Sequence, residues 1–205
     1  ENKHMVKNNA ILNSANNQMQ MFNMPAVNFF DIKKETRNTL NERCEKAFNL
    51  ANEHDTSVYW VNLNDEAKLL KSLDKNSYEI KGAMSIDQKE EMLIGFAKGD
   101  IKKLITKTKI TAFGLNWQHC NHTTYFPTYS YEQYYQAIRR FWRFGQKNNV
   151  TVDLVLSDGQ KRVIDTLLYK TNKAIEFNKL IQSNINGIVD LSKKEFTKEI
   201  IKPKF

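Results

Sequence analysis

The strongest constraint on the fold is an alternation. Short apolar runs recur along the chain, and helical patterns fill the intervals between them. Ser57-Val58-Tyr59-Trp60-Val61-Asn62 carries no charge, as befits a strand buried on both faces of a parallel sheet. Tyr78 to Lys81, Lys103 to Thr106, His122 to Phe126 and Val150 to Leu156 are four further candidate strands. Between Lys33 and His54, Leu40, Cys44, Ala47, Phe48 and Ala51 recur on one helical face,. A second helix runs from Asn64 to Leu73. A third opens on a Ser85 and Gln88 capping box, buries Met92, Leu93 and Phe96, and stops at Gly99,. After Asp158-Gly159 a long helix reaches Ser183, its buried stripe marked by Val163, Ile164, Leu167, Leu168, Ala174, Ile175, Asn178 and Ile181. Strands separated by helices need crossover connections, so the sheet is mostly parallel and covered on both faces. The expected architecture is a three-layer α/β domain over 33–183. A loose N-terminal arm or linker, 1–32, precedes it, and a basic tail, 184–205, follows the C-terminal helix.

Gln136-Ala137-Ile138-Arg139-Arg140-Phe141-Trp142-Arg143-Phe144-Gly145-Gln146 is the most informative stretch. Read as one helix, it places Tyr131, Tyr134, Tyr135, Ile138 and Trp142 on an inward stripe. Gln136, Arg139, Arg140 and Arg143 then share the opposite face, and Gly145 ends the helix. Guanidiniums on one face without a carboxylate among them repel one another, and their planar forks suit phosphate oxygens. A solvated basic face is the plain alternative.

The segment Lys107-Thr108-Lys109-Ile110-Thr111-Ala112-Phe113-Gly114-Leu115-Asn116-Trp117-Gln118 directly follows a candidate strand. Ligands bind beyond the carboxyl ends of parallel strands. Thr108, Thr111, Asn116 and Gln118 concentrate hydrogen-bonding groups there, and Gly114 lets backbone approach a ligand.

In order along the chain, these segments resemble motifs of superfamily 2 helicases and translocases, especially the Swi/Snf-type branch and its phage relatives. Val58 to Asn62 resembles motif IV. Thr108-Lys109 with Gly114-Leu115-Asn116 resembles motif V. Gln136, Arg140, Arg143, Gly145 and Gln146 resemble motif VI. Gly82, Lys89, Phe96 and Gly99 fit the spacing between motifs IV and V. The resemblance implies a RecA-like fold and the second domain of a two-domain motor. It implies that Arg140 and Arg143 are arginine fingers on ATP, with Gln136, Gly114 and Asn116 at the nucleotide. It also implies that Thr108, Lys109 and Gly82 contact nucleic acid, with DNA favoured over RNA. The family often carries a small residue where Arg139 stands, and Gly-Gly where Thr111-Ala112 stands.

The sequence has no Gly-x-x-x-x-Gly-Lys-Ser/Thr and no acidic box after a strand, so the phosphate cradle and the Mg²⁺ ligands are expected in a first RecA-like domain. The expected activity is ATP hydrolysis driving a DNA helicase or translocase, with this piece inactive alone. A non-catalytic nucleic-acid-binding module of the same shape is the alternative, and an upstream P-loop would separate the two. Net charge of +8 fits a polyanionic partner,. Two cysteines, Cys44 and Cys120, give no disulfide framework, and a cytoplasmic setting in a bacterial or phage-infected cell is the expectation,. His119-Cys120-Asn121-His122 lacks the further ligands that a tetrahedral metal site needs.

Overall fold

Every strand pairing in the sheet is parallel, so all carboxyl ends emerge along one edge. The computed structural model describes residues 2–6, 29–110 and 116–196, with backbone alone at 29–32, 184 and 186–196. In chain order the elements are β1 (Asn2–Val6), α1 (Phe29–Asn38), α2 (Leu40–Asn52), β2 (Ser57–Trp60), α3 (Asn64–Leu73) and β3 (Ser77–Glu79). Then come α4 (Ile86–Lys98), β4 (Lys103–Thr106), β5 (His122–Tyr125), α5 (Tyr131–Ile138), β6 (Thr151–Ser157), a 3₁₀ turn (Asp158–Gln160) and α6 (Lys161–Phe196). The sheet order is β1-β6-β5-β2-β4-β3. The apolar run Ser57–Trp60 takes an inner position with all four residues buried. The expected RecA-like α/β fold is the one observed.

The core follows the sequence pattern closely between α2 and β5. Cys44, Ala47 and Ala51 are fully buried against Tyr59, Leu70, Ile105 and Phe126. The capping box of α4 forms in both directions, Gln88 N–H to Ser85 Oγ and Ser85 N–H to Gln88 Oε1, each 3.2 Å. Gly99 closes that helix in the left-handed region at φ 88°, where a Cβ would strain the backbone.

Three expectations need correction. First, part of the N-terminal arm is structured: β1 adds an edge strand, with Asn2 opposite Asp153 and Val6 opposite Ser157. An edge strand needs no apolar alternation, and backbone pairing plus a His4 Nε2 to Asp153 Oδ1 bond of 3.0 Å hold it. Second, the helix read over 33–54 is interrupted at Thr39, which separates α1 from α2. Third, the buried stripe of the last helix stops early. Val163, Ile164 and Leu167 are buried, whereas Ile175 and Ile181 are exposed. The chain divides at this point into two compact units, Glu1–Leu167 and Leu168–Phe205, so the apolar residues beyond Leu167 lie outside the sheet's unit. Among the described residues no helix is long and apolar enough to cross a membrane.

Candidate nucleotide and nucleic-acid interface

The carboxyl edge of the sheet opens into a cleft of about 740 Å³. The loop after β2 contributes Asn62, the loop after β4 contributes Lys107, Thr108 and Lys109, and the segment after β5 contributes Thr128 and Ser130. Lys33 and Arg37 of α1 and Gln133 of α5 complete a basic and hydroxyl-rich wall. Thr108 Oγ1 donates to Gln133 Oε1 at 3.3 Å, which ties the loop after β4 to α5. Lys107 Nζ donates to Asn64 Oδ1 at 2.6 Å. Lys107 also borders a second pocket of about 470 Å³ that contains Lys81 and Gly82. Lys89 Nζ donates to the Gly82 carbonyl at 2.7 Å.

The floor of the cleft is built on a buried ion pair that the sequence pattern does not reveal. Arg43 Nη1 donates to Glu66 Oε1 at 2.8 Å, both side chains being almost wholly buried. Glu66 Oε2 accepts from the Asn62 and Leu63 amides at 2.8 and 2.9 Å. Arg43 also reaches the Thr36 carbonyl and lies over the Phe126 ring, 4.8 Å from its centroid. One carboxylate and one guanidinium therefore fix the β2–α3 loop, α1 and the exit of β5. The signal available was Arg43 beside Cys44 on the buried side of α2.

The arginine stretch differs from its expected geometry. α5 ends at Ile138, not at Gly145. Beyond it the backbone tightens to three-residue bonds, Arg140 N–H to the Ala137 carbonyl and Phe141 N–H to the Ile138 carbonyl. Trp142 N–H still reaches back four residues to the Ile138 carbonyl, and Tyr134, Ala137 and Phe141 are spaced as one ordinary helical stripe, so the inward face is a neighbouring stripe and not the expected one. Tyr134, Ala137, Arg140 and Phe141 point inward, and Trp142 is 60% exposed instead of buried. Arg140 is only 7% exposed, so it does not share an open face with Arg139 and Arg143. Gly145 sits later, in a turn at φ 96°.

An aromatic cluster centred on Trp117 receives the inward stripe. This ring is fully buried and lies against Trp60, Phe96 and Phe141 at centroid distances of 5.8, 5.2 and 5.7 Å. Trp117 N–H donates to the Arg140 carbonyl at 3.0 Å, and the Arg140 guanidinium lies over the Trp117 ring at 5.3 Å. Burial first, and then the neighbouring Arg143 charge, pulls the Arg140 guanidinium down to about 10 from 12.5. It remains a cation at neutral pH, in a position where an added anion is favourable.

Further bonds join the two loops. Gln146 Nε2 donates to the carbonyls of Gln118 and Phe141 at 3.1 and 3.2 Å, and Gln118 Nε2 donates to the Phe144 carbonyl. Asn116 Nδ2 donates to Gln118 Oε1 at 3.0 Å, placing Asn116 at this junction. Gln136 is exposed and donates to Glu132 Oε1 at 3.0 Å. Gly114 lies outside the described residues. Thr108 and Lys109 therefore belong to the cleft, whereas Arg140, Arg143, Gln136 and Asn116 do not line it. Guanidiniums and amides form the junction, a donor set that fits phosphate oxygens and not a metal ion. Among the described residues no three His, Cys, Asp or Glu side chains group as a metal site.

Comparison with known proteins defines the class. The helicase conserved C-terminal domain model matches residues 32–145, more than half of the chain. The chain belongs to that family, the C-terminal RecA-like domain of superfamily 2 helicases. No curated protein sequence matches it. Among solved structures it is similar to the C-terminal part of the Fun30 ATPase domain, at 15% identity and a TM-score of 0.50. That match covers 58% of this chain and 41% of the Fun30 chain. It is also similar to the S. cerevisiae Dbp5 C-terminal domain solved with Gle1, at 15% identity and a TM-score of 0.53, over 65% of this chain and 80% of that one. A longer Dbp5 structure gives 16% identity and a TM-score of 0.57, with 37% of its chain covered. These likenesses concern the fold.

Proposed function

We propose that this domain is the C-terminal half of an ATP-driven DNA helicase or translocase motor. ATP binds between it and a P-loop domain, which holds the Mg²⁺. Arg140 and Arg143 meet the phosphates as arginine fingers, with Gln136, Gly114 and Asn116 beside the nucleotide. Thr108, Lys109 and Gly82 hold the nucleic-acid backbone. DNA rather than RNA is the substrate, on the resemblance to Swi/Snf-type and phage motors.

The observation that carries this reading is the bond between the two loops. Trp117 N–H holds the Arg140 carbonyl while its ring supports the Arg140 guanidinium. An arginine packed on a buried ring is already positioned for a phosphate, so little rotamer freedom is lost on binding. Displacement of Arg140 on nucleotide binding or release is passed directly to the segment that begins with Thr108 and Lys109. That is the linkage a motor needs between its fuel and its track. Phosphoryl transfer depends mainly on positioning and charge stabilisation, and this chain's contribution is the pair of cations.

The nucleic-acid half of the reading is tested by salt dependence. Lys109→Ala weakens binding equally across sequences and flattens the slope of log K against log salt by about 0.7 to 0.9. A slope unchanged in the variant places the phosphate track elsewhere on the domain.

A further inference from the structure

A row of planar side chains runs along the outer flank of α5 and past its end, apart from the cleft. Tyr131 and Tyr135 have ring centroids 5.7 Å apart. The Arg139 guanidinium lies 5.7 Å from the Tyr135 ring and 5.8 Å from the Trp142 ring. Tyr135 is 41% exposed, Trp142 60%, and Phe144 wholly exposed. Burial does not explain these rings, because Tyr134, Ala137 and Phe141 supply the inward contacts of the same segment. Nor is the guanidinium there to pair with a carboxylate. Glu132 is the one acidic residue from Tyr131 to Gln146, against Arg139, Arg140 and Arg143, and its Oε1 accepts from Gln136.

The geometry points to a second nucleic-acid contact, in which the Tyr135–Arg139–Trp142 ladder stacks the bases of an unpaired strand. The partner's chemistry follows from the ladder's own. Exposed rings bind flat π surfaces, and the Arg139 guanidinium between them favours negative charge close by,. A nucleotide carries both. The number of planar groups then decides between sources. A single ATP adenine needs one platform, whereas here Tyr131, Tyr135 and Arg139 stack in turn behind Trp142, and Trp142 and Phe144 follow as two exposed rings. Two exposed rings at the end of a backed row match successive bases of a polynucleotide. Stacking accepts every base, so the contact is indifferent to sequence, and it gives Arg139 a role separate from the proposed fingers. This inference goes beyond the cleft and does not depend on it.

Trp142 also provides the readout. Trp60 and Trp117 are buried at 2% and 0% exposure, so base stacking quenches the emission of Trp142 alone. The 205-residue chain is titrated with single-stranded oligothymidylate and with an abasic oligomer of equal length and phosphate charge. Oligothymidylate is expected to quench the emission, and the abasic oligomer to leave it nearly unchanged. Trp142→Ala is expected to weaken oligothymidylate binding about 5- to 150-fold while the abasic oligomer binds as before. Trp142→Phe restores most of the loss, and Tyr135→Ala gives a smaller loss of the same selectivity. Equal effects on both oligomers, or no effect on either, overturn the inference. Quenching by ATP but not by oligothymidylate also overturns it. Lys109→Ala, acting on phosphate, lowers both oligomers alike if the cleft reading holds. Silence there would remove the cleft reading and leave the ladder standing.

Discussion

Replacing Trp117 with alanine removes the ring on which both loops rest. Truncating a fully buried tryptophan costs about 3–5 kcal/mol, from lost transfer energy and the cavity left behind. The Arg140 guanidinium loses its aromatic platform as well, a contact worth about 2 kcal/mol when desolvated. Together the two losses reach roughly 5–7 kcal/mol, comparable to the whole stability of a marginal domain, about 5–15 kcal/mol. With a urea slope of about 2 kcal/mol per molar, the midpoint should fall by about 2.5–3.5 M. Trp117→Phe gives a graded comparison. It keeps a ring against Phe96 and Phe141, and it removes an indole N–H that is buried without a hydrogen-bond partner. Burial of such a group costs about 1–3 kcal/mol, so phenylalanine should lose less than half as much as alanine. Trp142→Ala is the control, since its ring is largely in solvent and its change should stay within about 0.5 kcal/mol. Urea unfolding followed by circular dichroism measures all three. A loss under 1 kcal/mol for Trp117→Ala, or a larger one for Trp142→Ala, would refute the assignment of the cluster's centre.

Two further predictions follow from buried charge. Glu66→Gln strands the Arg43 cation beneath the cleft and should cost about 3–5 kcal/mol, whereas Arg43→Met combined with Glu66→Leu should recover much of it; thermal melts of the three variants decide. Stability should also fall with acid. Burial lowers the His122 pKa from 6.5, outweighing its 2.9 Å bond to Asp153, with His54 stacked on the ring at 3.8 Å and Ser57 Oγ at 2.8 Å from Nδ1. The unfolded chain therefore takes up a proton on His122 first, and stability drops as pH falls below about 6.5. Burial pushes Asp153 upward, but hydrogen bonds from His122, His4 and Asn2 outweigh it and hold the carboxyl below 3.8. Its contribution is present above its unfolded value of about 3.9 and is lost as pH falls further, through its folded value. Urea midpoints at pH 8, 6 and 4.5 should fall in turn, and His122→Gln should flatten the first step. A wild-type midpoint that is level from pH 8 to 5 would contradict this account.

The parts of the fold that were legible in the sequence are those where burial and local geometry act together. β2 reads as a strand because both faces are covered and no charged residue stands there. α4 reads because Ser85, Gln88 and Gly99 fix its ends through their own hydrogen bonds and dihedral angle. β1 was illegible because an edge strand of Asn, Lys, His, Met and Val is held by backbone pairing and by long-range bonds from Asn2 and His4 to Asp153. The face of Arg140 was misread. The wheel offers two adjacent apolar stripes, and the one that turns inward packs its Phe141 on Trp117, a loop residue more than twenty positions away. The Arg43–Glu66 pair was hidden because its two halves lie on different helices, and the place of Arg43 on the buried side of α2 does not name its partner.

The central claim is that this domain supplies arginine fingers to a shared ATP site, and phosphate release measures it most directly. In a polypeptide that couples the domain to its P-loop partner, single-stranded DNA should stimulate hydrolysis. Arg140→Ala or Arg143→Ala should each cut kcat by about 100-fold or more. Circular dichroism should confirm that both variants remain folded, and the 205-residue chain alone should release no phosphate. Wild-type turnover in both folded arginine variants, or sustained turnover by this chain alone, would contradict the account.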